Sequence, residues 1–148
     1  MAIEIEILPQ ISIPENWQEL ITNKLNFINI KSNSVINRLE YYLSILDDNS
    51  AIHIWLSEKE KNIFTDSDYL ESIKNINIIS KSIFLANFKK INYTITIEYK
   101  GTTNDNNFNL LLDIVVFIAV LTDGLITFRN DFSKFKVDNI YLPKDIIS

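Results

Sequence analysis

The chain has 148 residues, 47% hydrophobic and 22% charged, with 2 Gly, 3 Pro and no Cys. That is the size and make-up of a single globular domain over 1–148, able to bury a core without staples. It excludes a disulfide framework, thiolate metal sites and cysteine nucleophiles, and a formal net charge of −5 argues against nucleic-acid binding, which needs cations to displace phosphate counterions.

The acidity is lopsided: residues 1–74 carry 6 Lys/Arg against 12 Asp/Glu, and residues 75–148 carry 8 against 7. Steering by the N-terminal half therefore favours a basic partner. The chain also holds 27 Ile and 18 Asn, which reads as an AT-rich coding bias and makes Asn clusters weak markers of function. Met1–Leu8 alternates apolar and acidic residues without the basic start and apolar run of a signal peptide, so a cytoplasmic location is expected.

In chain order, residues 3–8 read as a strand, with Ile3, Ile5 and Ile7 on one face and Glu4 and Glu6 on the other. Ser12-Ile13-Pro14-Glu15 has the form of a capping box, and Trp17, Leu20, Ile21, Leu25 and Ile28 follow at helical spacing, which predicts a helix over 13–28. Ser32–Ser34 offers caps for a second helix, whose stripe is Val35, Ile36, Leu39, Tyr42, Leu43 and Leu46, ending at Asp47-Asp48-Asn49. Ala51–Leu56 reads as a strand with Ile52, Ile54 and Leu56 inward and His53 and Trp55 opposite. Residues 57–62 read as loop and 66–76 as a short helix.

Residues 80–88 and 91–99 predict a hairpin. In its second strand Ile91, Tyr93, Ile95, Ile97 and Tyr99 share one face, and Asn92, Thr94, Thr96, Glu98 and Lys100 form a wet face. Phe108–Leu121 reads as the most buried helix, with Gly124 as its C-cap. Leu125–Phe128 is a strand, Phe132, Phe135 and Tyr141 pin the tail, and Asn139–Leu142 is an edge strand. Together these predict an α+β domain: a largely antiparallel sheet of 4–6 strands with helices packed on one face.

No catalytic set is legible. The apolar run at 110–121 is interrupted by Asp113 and falls short of the roughly 20 residues of a membrane span. Its polar face, marked by Asn109 and Asp113, continues into Val116, Phe117 and Val120, so that face is either covered or an interface. His53 is the only histidine, which excludes His-pair metal motifs, and it reads as a half-exposed sheet residue. Two isolated glycines cannot build a phosphate loop, and Asp66-Ser67-Asp68 lacks the glycine and distal Glu of a calcium loop. No cofactor or metal is expected.

The segment Leu110–Asp131 is a mostly apolar helix that ends in Leu121-Thr122-Asp123-Gly124 and runs into a short strand and an acidic turn. In this it resembles the C-terminal part of some bacterial immunity proteins, which protect a cell from polymorphic or contact-dependent toxins. The resemblance implies a non-catalytic protein that neutralises a cognate toxin by direct binding and occlusion. An acidic inhibitor suits a basic toxin domain. The partner-binding candidates are Glu4, Glu6, Asp47, Asp48, Glu58, Glu60, Asp66 and Asp68, with Trp55 as aromatic anchor. The alternative is a self-associating structural or adaptor domain, a homodimer that uses the 108–121 helix as its face. An enzyme built on acidic residues and Tyr ranks last.

Overall fold

The computed structural model of the chain describes residues 2–28, 30, 32–37, 39–46, 49–58, 81–132, 134–137 and 139–147. Their elements run β1 (Ala2–Leu8), α1 (Trp17–Phe27), β2 (Ser32–Asn37), β3 (Glu40–Ile45), β4 (Ser50–Glu58), α2 (Lys81–Lys89), β5 (Tyr93–Lys100), α3 (Asp105–Leu121), β6 (Leu125–Phe128), β7 (Ile140–Tyr141) and α4 (Pro143–Ile147). The fold is α+β. The described strands form one antiparallel sheet of seven, ordered β2-β3-β4-β5-β1-β6-β7.

Seven strands exceed the expected 4–6, because the helix predicted from Ser32 onward is the hairpin β2–β3. Its residues pair from Ser32 with Ile45 to Asn37 with Glu40. The stripe that mimics helical spacing is rich in β-branched and aromatic residues, which fit a pleated surface better. Tyr41 and Leu43 are buried while Tyr42 is exposed, which is the period of a strand. Asn37 sets the turn, its Oδ1 accepting from the Leu39 N–H at 3.2 Å.

The expected first strand of the 80–88/91–99 hairpin is α2 instead. Phe84 and Phe88 stand one helical turn apart, both buried, with ring centroids 5.6 Å apart. Helix α1 begins at Trp17, four residues later than predicted. Ile13 is buried and its N–H donates to Tyr93 Oη at 2.9 Å, so the segment before the helix is tied to β5 at Ile13 and does not form the capping box. The expected loop at 57–62 starts as strand, since Ser57 and Glu58 belong to β4, and its remainder and the expected helix at 66–76 lie outside the described residues.

One face of the sheet is a continuous apolar layer. Ile3, Ile5, Ile7, Ile52, Ile54, Ile95 and Ile97 are fully buried and share one core cluster with Trp17, Ile21 and Leu25 of α1 and Leu111, Ile114, Val115 and Ile118 of α3. Each such side chain contributes about 1.5–3 kcal/mol by leaving water. Not every helix lies on that face. Leu8 and Leu125 are register partners whose side chains alternate to the opposite face, and they cluster with Phe84 and Phe88 of α2. The run of apolar residues in β1 thus ends in a residue that serves a second, smaller core.

Helix α3 is tied at both ends. Asn104 is its N-cap, accepting from the Asn107 N–H at 2.9 Å. At the other end the Gly124 N–H donates to Ala119 O at 2.8 Å and the Asp123 N–H to Val120 O at 3.3 Å, the paired bonds of a Schellman motif. The left-handed residue is Asp123, at φ 48, and not Gly124. Glycine is needed at 124 for space, since a Cβ there would sit 2.7 Å from Ile7 Cγ2 and 2.8 Å from Thr122 Oγ1.

A buried polar knot locks the start of α3 to the sheet. Ser50 Oγ accepts from the Thr102 N–H at 3.0 Å and from Asn107 Nδ2 at 3.2 Å. Asn107 Nδ2 also donates to Tyr99 Oη at 3.2 Å, and the Tyr99 hydroxyl donates to the Thr102 carbonyl. The tail is pinned as expected: Phe135 stacks on Phe128 at 4.8 Å and meets Tyr141 edge-on at 5.2 Å.

Candidate functional site

The face of the sheet opposite α1 and α3 carries the polar side chains, and strand register sets them in rows. Tyr42, His53, Glu98 and Glu4 are successive cross-strand partners on β3, β4, β5 and β1. The next row runs Glu40, Trp55, Thr96, Glu6 and Thr127. Alternation along each strand places these side chains together because Ile52, Ile54, Ile95 and Ile97 take the other face.

Tyr42 is exposed, and Glu4, Glu40, His53, Trp55 and Glu98 are half-buried. The three rings form a run, His53 lying 4.5 Å from Trp55 and 5.6 Å from Tyr42 between centroids, the latter edge-on. His53 Nε2 faces Glu40 Oε2 at 3.6 Å, beyond hydrogen-bond reach, and is shielded from water with no hydrogen-bond partner. Protonation of the ring would turn that approach into an ion pair. Glu98 is held by Lys100 at 3.3 Å. Glu4 stands directly across from Glu98, a like-charge pairing that opposes folding by a few tenths of a kcal/mol to about 1 kcal/mol.

Of the residues proposed from sequence, Glu4 and Trp55 lie on this face and remain accessible. Glu6 lies on it too, but it is not available to a partner. Its side chain is 3% exposed and ion-paired to Arg129, while its Oε1 has no hydrogen-bond partner. Glu58 is exposed, but it ends β4 in register with Tyr93, on the side of the strand that Ile54 and Leu56 share. It therefore stands apart from the two rows. Asp47, Asp48, Glu60, Asp66 and Asp68 lie outside the described residues. The face is also drier than the alternation of β5 implies, since Thr94 and Thr96 are buried and Thr96 Oγ1 lies 2.9 Å from Ser57 Oγ.

Sequence reasoning misses Glu40, Tyr42 and Glu98 as site residues. Glu98 is legible, lying on the polar side of the cleanest alternation in the chain. Glu40 and Tyr42 are hidden by the helical reading of their hairpin. Together the rings and carboxylates can stack with and neutralise a guanidinium or ammonium group. Among the described residues no group of three or more His, Cys, Asp or Glu side chains is placed to share a metal ion.

A second surface lies on the helical side. The outer face of α3 is not completely covered: Val120 is exposed, and Val116 and Phe117 are half-buried. They line a groove of about 630 Å³ with Lys24 of α1 and Ile146 and Ile147 of α4. Among the described residues no helix is long and apolar enough to cross a membrane. Comparison of the chain with known protein families, characterised proteins and solved structures gave no significant match.

Proposed function

We propose that this chain is a non-catalytic binding protein of the immunity type, which neutralises a toxin domain in the cytoplasm by seating on it and occluding its active site. The observation that supports this is the outer row of the sheet, where Glu4 and Glu98 stand opposite each other beside the Tyr42–His53–Trp55 rings. Carboxylates set side by side weaken the fold slightly and suit a cationic surface placed over them. Half-buried aromatic rings supply the contact area that dominates interface energy. The rigid sheet fixes their spacing, so little ordering opposes docking.

The net charge of −5 speeds encounter with a basic domain and disfavours acidic ones. The test is co-expression with the product of the neighbouring reading frame, read by pull-down and by growth. The wild type is expected to bind and to rescue growth. Trp55→Ala, and Glu4→Lys combined with Glu98→Lys, are expected to fold and to lose both. Failure of the wild type to bind or rescue, or full rescue by the folded variants, would overturn the reading.

A further inference from the structure

We infer that the groove between α1, α3 and α4 is a homodimer face, in which the α3 helices of two copies of this chain pack about a two-fold axis. Two helices direct their most exposed apolar side chains into this groove, and a third adds another on its margin. Phe27 is 90% exposed, Ile147 72% and Val120 63%, the three highest values among the large apolar residues described. Phe27 follows Lys24 by three residues on α1 and so shares its side of that helix, and Val120 and Ile147 line the groove itself. Monomers seldom leave such a contiguous patch in water.

Charge selects the occupant. Among the described residues the charged lining of the groove is one cation, Lys24, and one carboxylate, Asp113. Lys24 Nζ stands 5.4 Å above the Phe117 ring, and neither charge has an opposite-charge partner among the described residues. A strongly basic or acidic partner would pair with one and be repelled by the other. A second copy satisfies both, because an isologous contact presents each residue's partner twice, Lys24 of either copy meeting Asp113 of the other. A chain of net charge −5 must also associate without bringing its acidic surfaces together. This groove lies on the helical side, so the Glu-bearing sheet face of each copy points away from the contact. The inference is independent of what the sheet face binds.

Sedimentation equilibrium of the full chain tests it. The wild type is expected to be dimeric, and Lys24→Glu and Asp113→Lys are each expected to weaken association at least about tenfold through like-charge juxtaposition. Mixing the two variants in equal amounts should restore the dimer. In the mixed pair the carboxylate introduced by the first variant faces the ammonium introduced by the second, and the unaltered Lys24 of one chain faces the unaltered Asp113 of the other. Both changes are at solvent-accessible side chains, and circular dichroism confirms that each variant is folded. Val120→Glu, at a solvent-facing position of α3, should abolish dimers without loss of helix. A monomeric wild type overturns the inference and assigns the groove to a different occupant. Variants that stay dimeric, or a mixture that stays monomeric, overturn it as well.

Discussion

Glu6 is the carboxylate whose role changes most between sequence and structure, and removal of its partner gives a sharp test. Arg129→Ala leaves a carboxylate that is 3% exposed without its cation. Breaking a fully buried pair costs about 3–5 kcal/mol, and an exposed pair contributes only about 0–1 kcal/mol. Here one partner is buried and the other 54% exposed, so water enters from the arginine side and the loss should fall between, at roughly 2–3 kcal/mol. For a chain of this length that lowers the melting temperature by roughly 4–12 °C. Glu6→Gln removes the buried charge and keeps an acceptor for Arg129, so it should cost only about 1 kcal/mol. The double variant should then be scarcely worse than Glu6→Gln alone, because no charge remains to be stranded. Urea titrations of the four proteins give the coupling directly. A loss below about 0.5 kcal/mol for Arg129→Ala, or strict additivity in the double variant, would refute the idea that Glu6 is a structural anion.

Gly124→Ala should destabilise by about 1–3 kcal/mol, since its methyl group enters the space held by Ile7 and Thr122 and the helix end cannot retreat. Asp123→Gly, at the neighbouring left-handed position, should cost nothing measurable in the same thermal melts. Ser50→Ala should lower stability by about 1–3 kcal/mol, because the Thr102 N–H and Asn107 Nδ2 each lose the Ser50 Oγ acceptor. Hydrogen exchange should show the N-terminal turn of α3 opening first in that variant. Trp55→Ala on the half-buried outer face should shift the melting temperature far less than Ile54→Ala on the buried one, where about 2–5 kcal/mol is expected.

How far the sequence is legible depends on whether one period dominates. Strands β1, β4 and β5 alternate cleanly between Ile and polar residues, and the pattern places each within two residues of its observed ends. Helix α3 is plain because Leu110–Leu121 is apolar on more than one side and longer than any strand. The hairpin β2–β3 misleads because its apolar residues fit both periods, and local pattern cannot see that Tyr41 packs across the sheet while Leu39 remains exposed. In α2 the Phe84/Phe88 spacing is present, but a single i, i+4 pair in so short a run fits a strand as readily as a helix. The site is half visible. Glu4 and Trp55 follow from alternation, whereas burial of Glu6 depends on Arg129, a residue 123 positions away, which no local pattern encodes. Glu58 falls away from the site for the opposite reason. The strand runs two residues past its predicted end and carries that side chain round to the other face.

The abundance of Asn and Asp takes on a different meaning once the turns are known. With only 2 Gly, the chain relies on short polar side chains to close its corners. Asn37 and Asn104 accept from backbone N–H groups two and three residues ahead. Asp131 accepts from the Val137 N–H at 3.0 Å and Asp145 from the Leu142 N–H at 2.8 Å, and Asp123 holds the left-handed position. These residues have local work, so their number says little about a partner. Glutamate on a strand is different. It has poor β-propensity and is too long to close a turn, yet Glu4, Glu40 and Glu98 all sit on strands with their side chains on the outer face. Glu6, the fourth on that face, is explained by its arginine. The three that remain are not needed to build the sheet, and two of them oppose it, which is the reason the proposed binding of a basic partner is placed on the strands and not on the turns.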